Sequence, residues 1–253
     1  MPHGVGAHFY PMCDSTNTVA ARYAESGETS PIWIVAGKQS GGRGRKGKTW
    51  VSEEGNLYAS LLFRPDIEAT ALGALPFLMA LAVRDTLIEL GALANDVKCK
   101  WPNDILLAGR KICGILIESS SRSSGRLDHV IIGVGINLLH SPADAQFNAT
   151  SLLASLGRPI SVQEALGRLA NQLNQRLDAW DVENFEPVRV EWTRCAWGLG
   201  QFRRIDTAKE SFEAKLVGLD TQGGLLVQME DGTERQIVAA DIFATAAQSD
   251  KDS

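Results

Sequence analysis

A thirteen-residue segment between two apolar runs constrains this chain more than any other feature. Lys38-Gln-Ser-Gly-Gly-Arg-Gly-Arg-Lys-Gly-Lys-Thr-Trp50 carries five positive charges, four glycines and no acid. Ile32 to Ala36, bounded by Pro31 and Gly37, reads as a buried strand before it, and Asn56 to Phe63 as a second strand after it. Gly42-x-x-x-x-Gly47-Lys48-Thr49 satisfies the P-loop expression, and Gly42-x-Gly44-x-x-Gly47 satisfies the dinucleotide fingerprint. Both patterns need a helix opening directly after the loop, because its N-terminus holds the phosphate. Here Val51-Ser-Glu-Glu-Gly-Asn56 and another strand follow, so neither reading suits the chain.

What remains is the chemistry of the loop. Glycine lets backbone fold closely around a ligand. Arginine and lysine make charge-assisted hydrogen bonds to phosphate. The segment is therefore expected to be mobile when empty and ordered over an anionic ligand. Two other readings are a solvated loop without function and a single-stranded nucleic-acid site, with Arg43, Arg45, Lys46 and Lys48 on phosphates and Trp50 stacked on a base. The net charge of −5 and the lack of a wider basic stripe disfavour the nucleic-acid site.

The rest of the chain gives this loop a globular setting. Hydrophobic residues make up 44%, enough for a core, and 253 residues suit one large domain or a large and a small one. Ala69 to Val83, the longest uncharged and strongly apolar stretch, has 15 residues with Pro76 inside, whereas a membrane span needs about 20. The first eight residues have no signal-peptide pattern. Cys13, Cys99, Cys113 and Cys195 lack metal or redox spacing and read as reduced thiols of a cytoplasmic protein. The four histidines, His3, His8, His129 and His140, have no ligand spacing.

Asp14 and Ser15 offer N-caps for a short helix through Ala24. Leu72, Leu75, Met79, Val83, Leu87 and Leu90 predict an amphipathic helix stopped at Gly91, with Pro76 at its start or kinking it. Three strands are predicted at 97–101, 111–118 and 129–138, with a turn at Ala108-Gly109-Arg110 and a polar loop from Ser119 to Gly125. Ser161 and Glu164 form a capping box before Val162, Leu166, Leu169, Leu173, Leu177 and Trp180. A further helix follows Pro187 and stops at Gly198. Beyond residue 200 the segments are short, β-prone and punctuated by Gln222-Gly223-Gly224 and Asp231-Gly232, which predicts a small barrel of four or five strands. The expected division is 1–198, 199–247 and a tail at 248–253.

Four segments, in order, carry a resemblance: Asp14-Ser-Thr-Asn17; Gln39 to Trp50; Lys98-Cys-Lys-Trp-Pro-Asn-Asp104 with Arg110-Lys-Ile-Cys-Gly-Ile-Leu-Ile-Glu118; and Gly133-Val-Gly-Ile-Asn137. Over about 125 residues the chain resembles the bacterial biotin protein ligases. The resemblance implies an α+β fold: a mixed sheet flanked by helices, similar to class II synthetases and to the biotin-lipoate ligase catalytic domain, with a small C-terminal SH3-like β-barrel. It implies a two-step reaction with biotin and Mg-ATP as reactants. Biotinyl-5′-adenylate forms first, and a lysine of biotin carboxyl carrier protein then takes the biotin.

By the same resemblance, Ser15, Thr16, Asn17, Gln39, Arg43, Gly44, Arg45, Lys100 and Gly114 are expected at biotin, and Arg43, Arg45, Lys48, Trp50 and Asn137 at ATP. Lys100 and Arg45 are the expected catalytic pair. Gly114 and Gly135 are expected to let backbone approach the ligand. No metal is expected from protein ligands alone: Mg2+ enters with ATP, and Asn137 is the one candidate contact. Hydroxyl and amide groups suit the ureido ring, with its one acceptor and two donors. A cation at Lys100 suits the charge that builds on phosphorus.

Some positions depart from the family pattern: Gly41 stands for alanine, Lys46 and Lys48 for arginines, and Cys113 for a small apolar residue. Only about 12 residues precede Asp14, so no DNA-binding module is expected, and no DNA or membrane partner. Homodimers through a sheet edge are frequent in the family. The nearest alternative is a lipoate ligase or octanoyl transferase.

Overall fold

A computed structural model describes residues 5–142 and 148–245. Seven strands form one sheet: β1 (Gly6–Cys13), β2 (Ile32–Gln39), β3 (Leu57–Phe63), β4 (Val97–Lys100), β5 (Asp104–Leu107), β6 (Arg110–Ser121) and β7 (Leu127–Ile136). Their order is β1-β2-β3-β7-β6-β5-β4, with β1 parallel to β2 and every other pair antiparallel. The expected mixed sheet flanked by helices is therefore present.

Side chains alternate across a strand, so this sheet is buried on two faces. Ile32 and Ile34 point into a small core with Val19, Ala20 and Ala24 of α1 (Thr16–Glu25). Trp33 and Val35 point into the main core beneath α2 (Leu75–Glu89) and α4 (Val162–Asp178). Two shorter helices complete the set, α3 (Leu152–Leu156) and α5 (Glu186–Arg194).

Several expectations need correction. β1 has no counterpart among the predicted strands, because its exposed edge position leaves no apolar period to see. Ile105 to Leu107 is a strand in its own right, joined to β6 by Ala108 and Gly109, both at positive φ. β6 extends to Ser121, through residues expected in a loop. α2 is not amphipathic: Phe77 through Val83 are buried without a break, because helices and sheet enclose it. Pro76 stands in its first turn, where its missing N–H leaves no gap. With the preceding 3-10 turn, Ala69–Glu89 is 21 residues and holds an 18-residue window of mean hydropathy 1.6, long and apolar enough to cross a membrane by those measures. It is longer than the sequence count allowed, and it serves as the central core helix. Ser15 occupies the N-cap position of α1, yet its side chain makes no capping bond. Ser161 does cap α4, its Oγ accepting from the Glu164 N–H at 3.1 Å.

The C-terminal part is a second, antiparallel sheet of β8 (Phe202–Asp206), β9 (Ser211–Leu219), β10 (Leu225–Gln228), β11 (Glu234–Ile237) and β12 (Asp241–Phe243). Its order is β11-β10-β9-β8-β12. Its buried side chains belong to the same core as the large sheet. Trp101 Nε1 donates to the Gly223 carbonyl at 3.0 Å across the junction. The expected tail at 248–253 lies outside the described residues.

Candidate active site

One cavity of about 410 Å³ opens where the basic segment folds over the ends of β4 to β7. It is lined by all twelve residues that the resemblance placed at biotin or ATP, from Ser15 to Asn137. Asp241 and Ile242 of the second sheet also reach it.

The floor is a polar chain set into apolar strands. Thr16 donates from its backbone N–H to Gln39 Oε1 at 2.8 Å, and Gln39 Nε2 donates to Ser52 Oγ at 2.9 Å. Ser52 Oγ in turn donates to the Trp50 carbonyl at 3.0 Å. In the other direction, fully buried Ser60 lies 2.7 Å from Thr16 Oγ1 and 2.6 Å from Asn17 Oδ1. One hydroxyl proton cannot serve both oxygens. The chain is best satisfied when Ser60 accepts from Thr16 and donates to Asn17. Asn17 Nδ2 then donates to Glu118 Oε2 at 2.7 Å and to the Leu116 carbonyl at 3.4 Å. Both amide hydrogens of Asn17 are thus taken by protein. Of its expected role at biotin, a lone pair on Oδ1 is what this geometry leaves.

In this conformation the basic segment is internally bonded. Arg43 and Thr49 form a β-bridge, the Trp50 N–H donates to the Gly42 carbonyl, and Lys46 and Gly47 turn the chain at positive φ. Its cations are anchored by protein groups. Arg43 pairs with Glu118 at 3.2 Å, Arg45 Nη1 reaches Asn103 Oδ1 at 3.4 Å, and Lys48 pairs with Asp241 at 3.1 Å.

Trp50 closes the segment and packs on the sheet. A Cβ on Gly114 would lie 2.8 Å from its ring, and one on Gly135 2.6 Å from Nε1. The room expected to admit ligand at these glycines therefore receives the indole. Lys111 Nζ stands 5.4 Å from the ring centroid and pairs with Asp104 at 2.6 Å.

Lys100, at the end of β4, is only 7% exposed. Its ammonium lies 5.5 Å from the Trp197 ring centroid and 5.6 Å from that of Phe243, within cation–π range. Burial brings its pKa down to about 8; Asp104 and Asp241 oppose that shift, while Lys111 and Lys48 add to it. Lys100 therefore stays largely protonated at neutral pH. Asn137 is buried, and its amide donates to the Thr150 carbonyl at 3.0 Å, which is a structural task. Cys113 is packed in the core, its thiol pKa pushed up by burial.

These groups suit a polyanion with a neutral polar head. Six cations line the cavity, with Asp104 and Asp241 as its acids. The Trp50 Nε1 donor is buried without a hydrogen-bond partner, ready for an acceptor. Among the described residues no group of three His, Cys, Asp or Glu could hold a metal ion. Sequence reasoning did not single out Ser52, Ser60, Glu118, Asn103, Asp104, Lys111 or Asp241 as site residues. A detectable signal existed for Ser60, the one small polar residue inside the otherwise aliphatic and aromatic β3.

Residues 9–137 match the biotin/lipoate A/B protein ligase family, and residues 204–244 match the biotin protein ligase C-terminal domain. A biotin–[acetyl-CoA-carboxylase] ligase of Paracoccus denitrificans is 34% identical over 91% of this chain and 97% of its own. A bifunctional ligase/repressor of Bacillus subtilis is 34% identical over 94% of this chain and 74% of its own length. The solved structure of the Aquifex aeolicus biotin protein ligase in complex with biotin and ATP superposes with a TM-score of 0.80 at 27% identity, covering 95% of this chain and 99% of the other.

Proposed function

The chain belongs to the biotin protein ligase family, and from that premise we propose how its residues carry out ATP-dependent biotinylation. The convergence of the polar floor, the cationic segment and buried Lys100 on one cavity carries the reading.

In the first step a biotin carboxylate oxygen attacks the α-phosphorus of ATP. A new P–O bond forms, the bond to the β-phosphate oxygen breaks, and pyrophosphate leaves. Ser15, Thr16 and Gln39 orient the ureido ring. Lys100 balances the charge that gathers on the α-phosphate as the bond forms. Arg43, Arg45 and Lys48 bind phosphate oxygens: Arg45 and Lys48 exchange their present anchors for stronger, drier contacts, whereas Arg43 keeps Glu118 on Nη2 and binds through its other N–H groups. Magnesium, when bound with ATP, supplies further neutralisation of the triphosphate.

In the second step the neutral amine of a carrier lysine attacks the biotinyl carbonyl. The C–N bond forms, the C–O bond to AMP breaks, and the amine proton passes to solvent. The partner is the biotin carboxyl carrier protein of acetyl-CoA carboxylase and related carboxylases. We assign most of this chemistry to the unit 1–198, with the unit 199–247 contributing Asp241 and Ile242 to the cavity. The exposed edge strand β1 is the surface we assign to a homodimer, checked by sedimentation equilibrium.

The test is pyrophosphate–ATP exchange on purified protein, with biotin, lipoate or octanoate added separately. Exchange that depends on biotin alone supports the reading. Exchange driven equally by lipoate moves the chain to the lipoate branch of its family.

A further inference from the structure

Glu118 touches the two parts of the site that have to act together, while standing outside the cavity wall. It lies on β6, paired in register with Ile131 of β7. Its Oε2 accepts from Asn17 Nδ2 at 2.7 Å. Both its oxygens face Arg43 Nη2, at 3.2 and 3.3 Å. Asn17 and Arg43 line the cavity and Glu118 does not. Asn17 has a fixed seat: a Cβ on Gly133 would lie 2.2 Å from its Oδ1, so the floor there requires glycine. One carboxylate thus joins the buried floor to the first arginine of the covering segment.

We propose that Glu118 is a positioning residue that holds the covering segment in register with the biotin-facing floor, through Asn17 on one side and Arg43 on the other. This rests on the biotin ligase reading of the site.

The two contacts have different physics. Asn17 is buried, so its bond to an ionised acceptor is charge-assisted and poorly screened. The Arg43 pair is half exposed, with 46% and 40% of the two side chains accessible, so it is weak and sensitive to salt. Two substitutions separate them. Glu118→Gln keeps a carbonyl acceptor for Asn17 and turns an amide donor toward Arg43. Glu118→Ala removes both contacts.

The expected result for Glu118→Gln is biotin affinity within about threefold of the parent, with about three- to fivefold faster release of biotinyl adenylate into solution. In 1 M NaCl the two proteins should converge, because salt of that strength screens the parent's ion pair. In an Arg43→Ala background, Glu118→Gln should add nothing further to adenylate release, since the partner is already gone. Glu118→Ala should also weaken biotin binding about tenfold, by freeing Asn17. Intrinsic fluorescence titration reads the biotin affinity, and chromatography of the filtrate reads the adenylate.

Additive effects of Arg43→Ala and Glu118→Gln on release would overturn the proposal, as would parent-like release by Glu118→Gln at low salt. If Glu118→Ala fails to fold, Glu118→Gln and the cycle still decide the matter. Failure of the underlying reading looks different: the unsubstituted protein would then show no biotin-dependent exchange at all.

Discussion

The Trp50 indole occupies the room that Gly135 leaves open on β7. A Cβ at that position would stand 2.6 Å from both Nε1 and Cε2 of the ring. Gly114 on β6 makes the same allowance from the neighbouring strand, at 2.8 Å. Two glycines on paired strands, Gly114 opposite Gly135, thus make the seat of one side chain of the covering segment.

Gly135→Ala is therefore expected to act on the covering segment more than on the fold. Strand backbone accepts alanine readily, whereas the ring has to leave. Losing the burial of a large aromatic displaces roughly 2–3 kcal/mol of favourable packing from the covering segment. Tryptophan emission should shift to the red, and ATP should bind at least tenfold more weakly. The urea midpoint should move little by comparison. Unchanged emission and ATP binding would show that the indole has another equally good seat.

Lys100 gives a pH dependence whose sign can be worked out. Its pKa in the folded protein is about 8, below the ordinary lysine value of 10.5, because burial disfavours the ammonium. On the role proposed for Lys100, kcat/KM for ATP should fall above about pH 8 with a single-proton slope. Stability runs the other way. The unfolded chain holds the proton more tightly, so the penalty is full below pH 8 and is relieved between about pH 8 and 10.5. It is on the order of 3 kcal/mol. Lys100→Met should therefore be more stable than the parent at neutral pH, with the advantage shrinking toward pH 10. Its adenylate formation should drop by about 10²–10³. Exchange activity near that of the parent in folded Lys100→Met would remove this residue from the chemistry.

Most of the architecture was legible because local pattern and burial agree. The strands around Val35, Leu61 and Ile132 are continuous apolar runs, and all three side chains are buried in the main core. The cap at Ser161 follows from its own four residues. The parts that escaped are relational. β1 is an edge strand with almost every side chain exposed, so it has no period to read. The pairing of Lys48 with Asp241 joins residues 193 apart, and nothing local to either announces it. The site motifs identified the residues around the cavity but not how they engage one another. Asn17 carries its motif position, yet its amide hydrogens are taken by Glu118 and Leu116. That arrangement depends on β6, β7 and α1 meeting in three dimensions.

Asp241 offers a test of how the second sheet bears on the site. Its carboxylate lies 3.1 Å from Lys48 and 3.8 Å from Lys46, with all three side chains partly exposed. Such pairs contribute at most about 1 kcal/mol. Asp241→Asn is therefore expected to leave the melting temperature within about 4 °C of the parent. Its KM for ATP should change severalfold, because Lys48, proposed at phosphate, and Lys46 beside it lose the group that aligns them. A salt titration checks the origin, since the difference from the parent should fade as ionic strength rises. A difference that persists at high salt would place the effect in packing around Ile242 instead.

Arg45 decides whether the covering segment retains the intermediate or only helps to make it. Biotinyl adenylate is a mixed anhydride that water hydrolyses, so it has to be covered between the two steps. Arg45 lies in the one part of the segment with a turn at positive φ, beside Lys46 and Gly47, and its Nη1 reaches Asn103 Oδ1 at 3.4 Å. That bond is long, so little opposes transfer of the guanidinium to an adenylate phosphate. Arg45→Gly removes the clasp and frees the backbone as well, at a further entropic cost of about 1 kcal/mol on closing. Lys100 is untouched, so adenylate should still form. It should escape at least tenfold faster, seen as free biotinyl adenylate without carrier and as biotin on lysines of unrelated proteins in the same tube. Adenylate retained as tightly as in the parent, or not made at all, would confine Arg45 to ATP binding or to the shape of the segment.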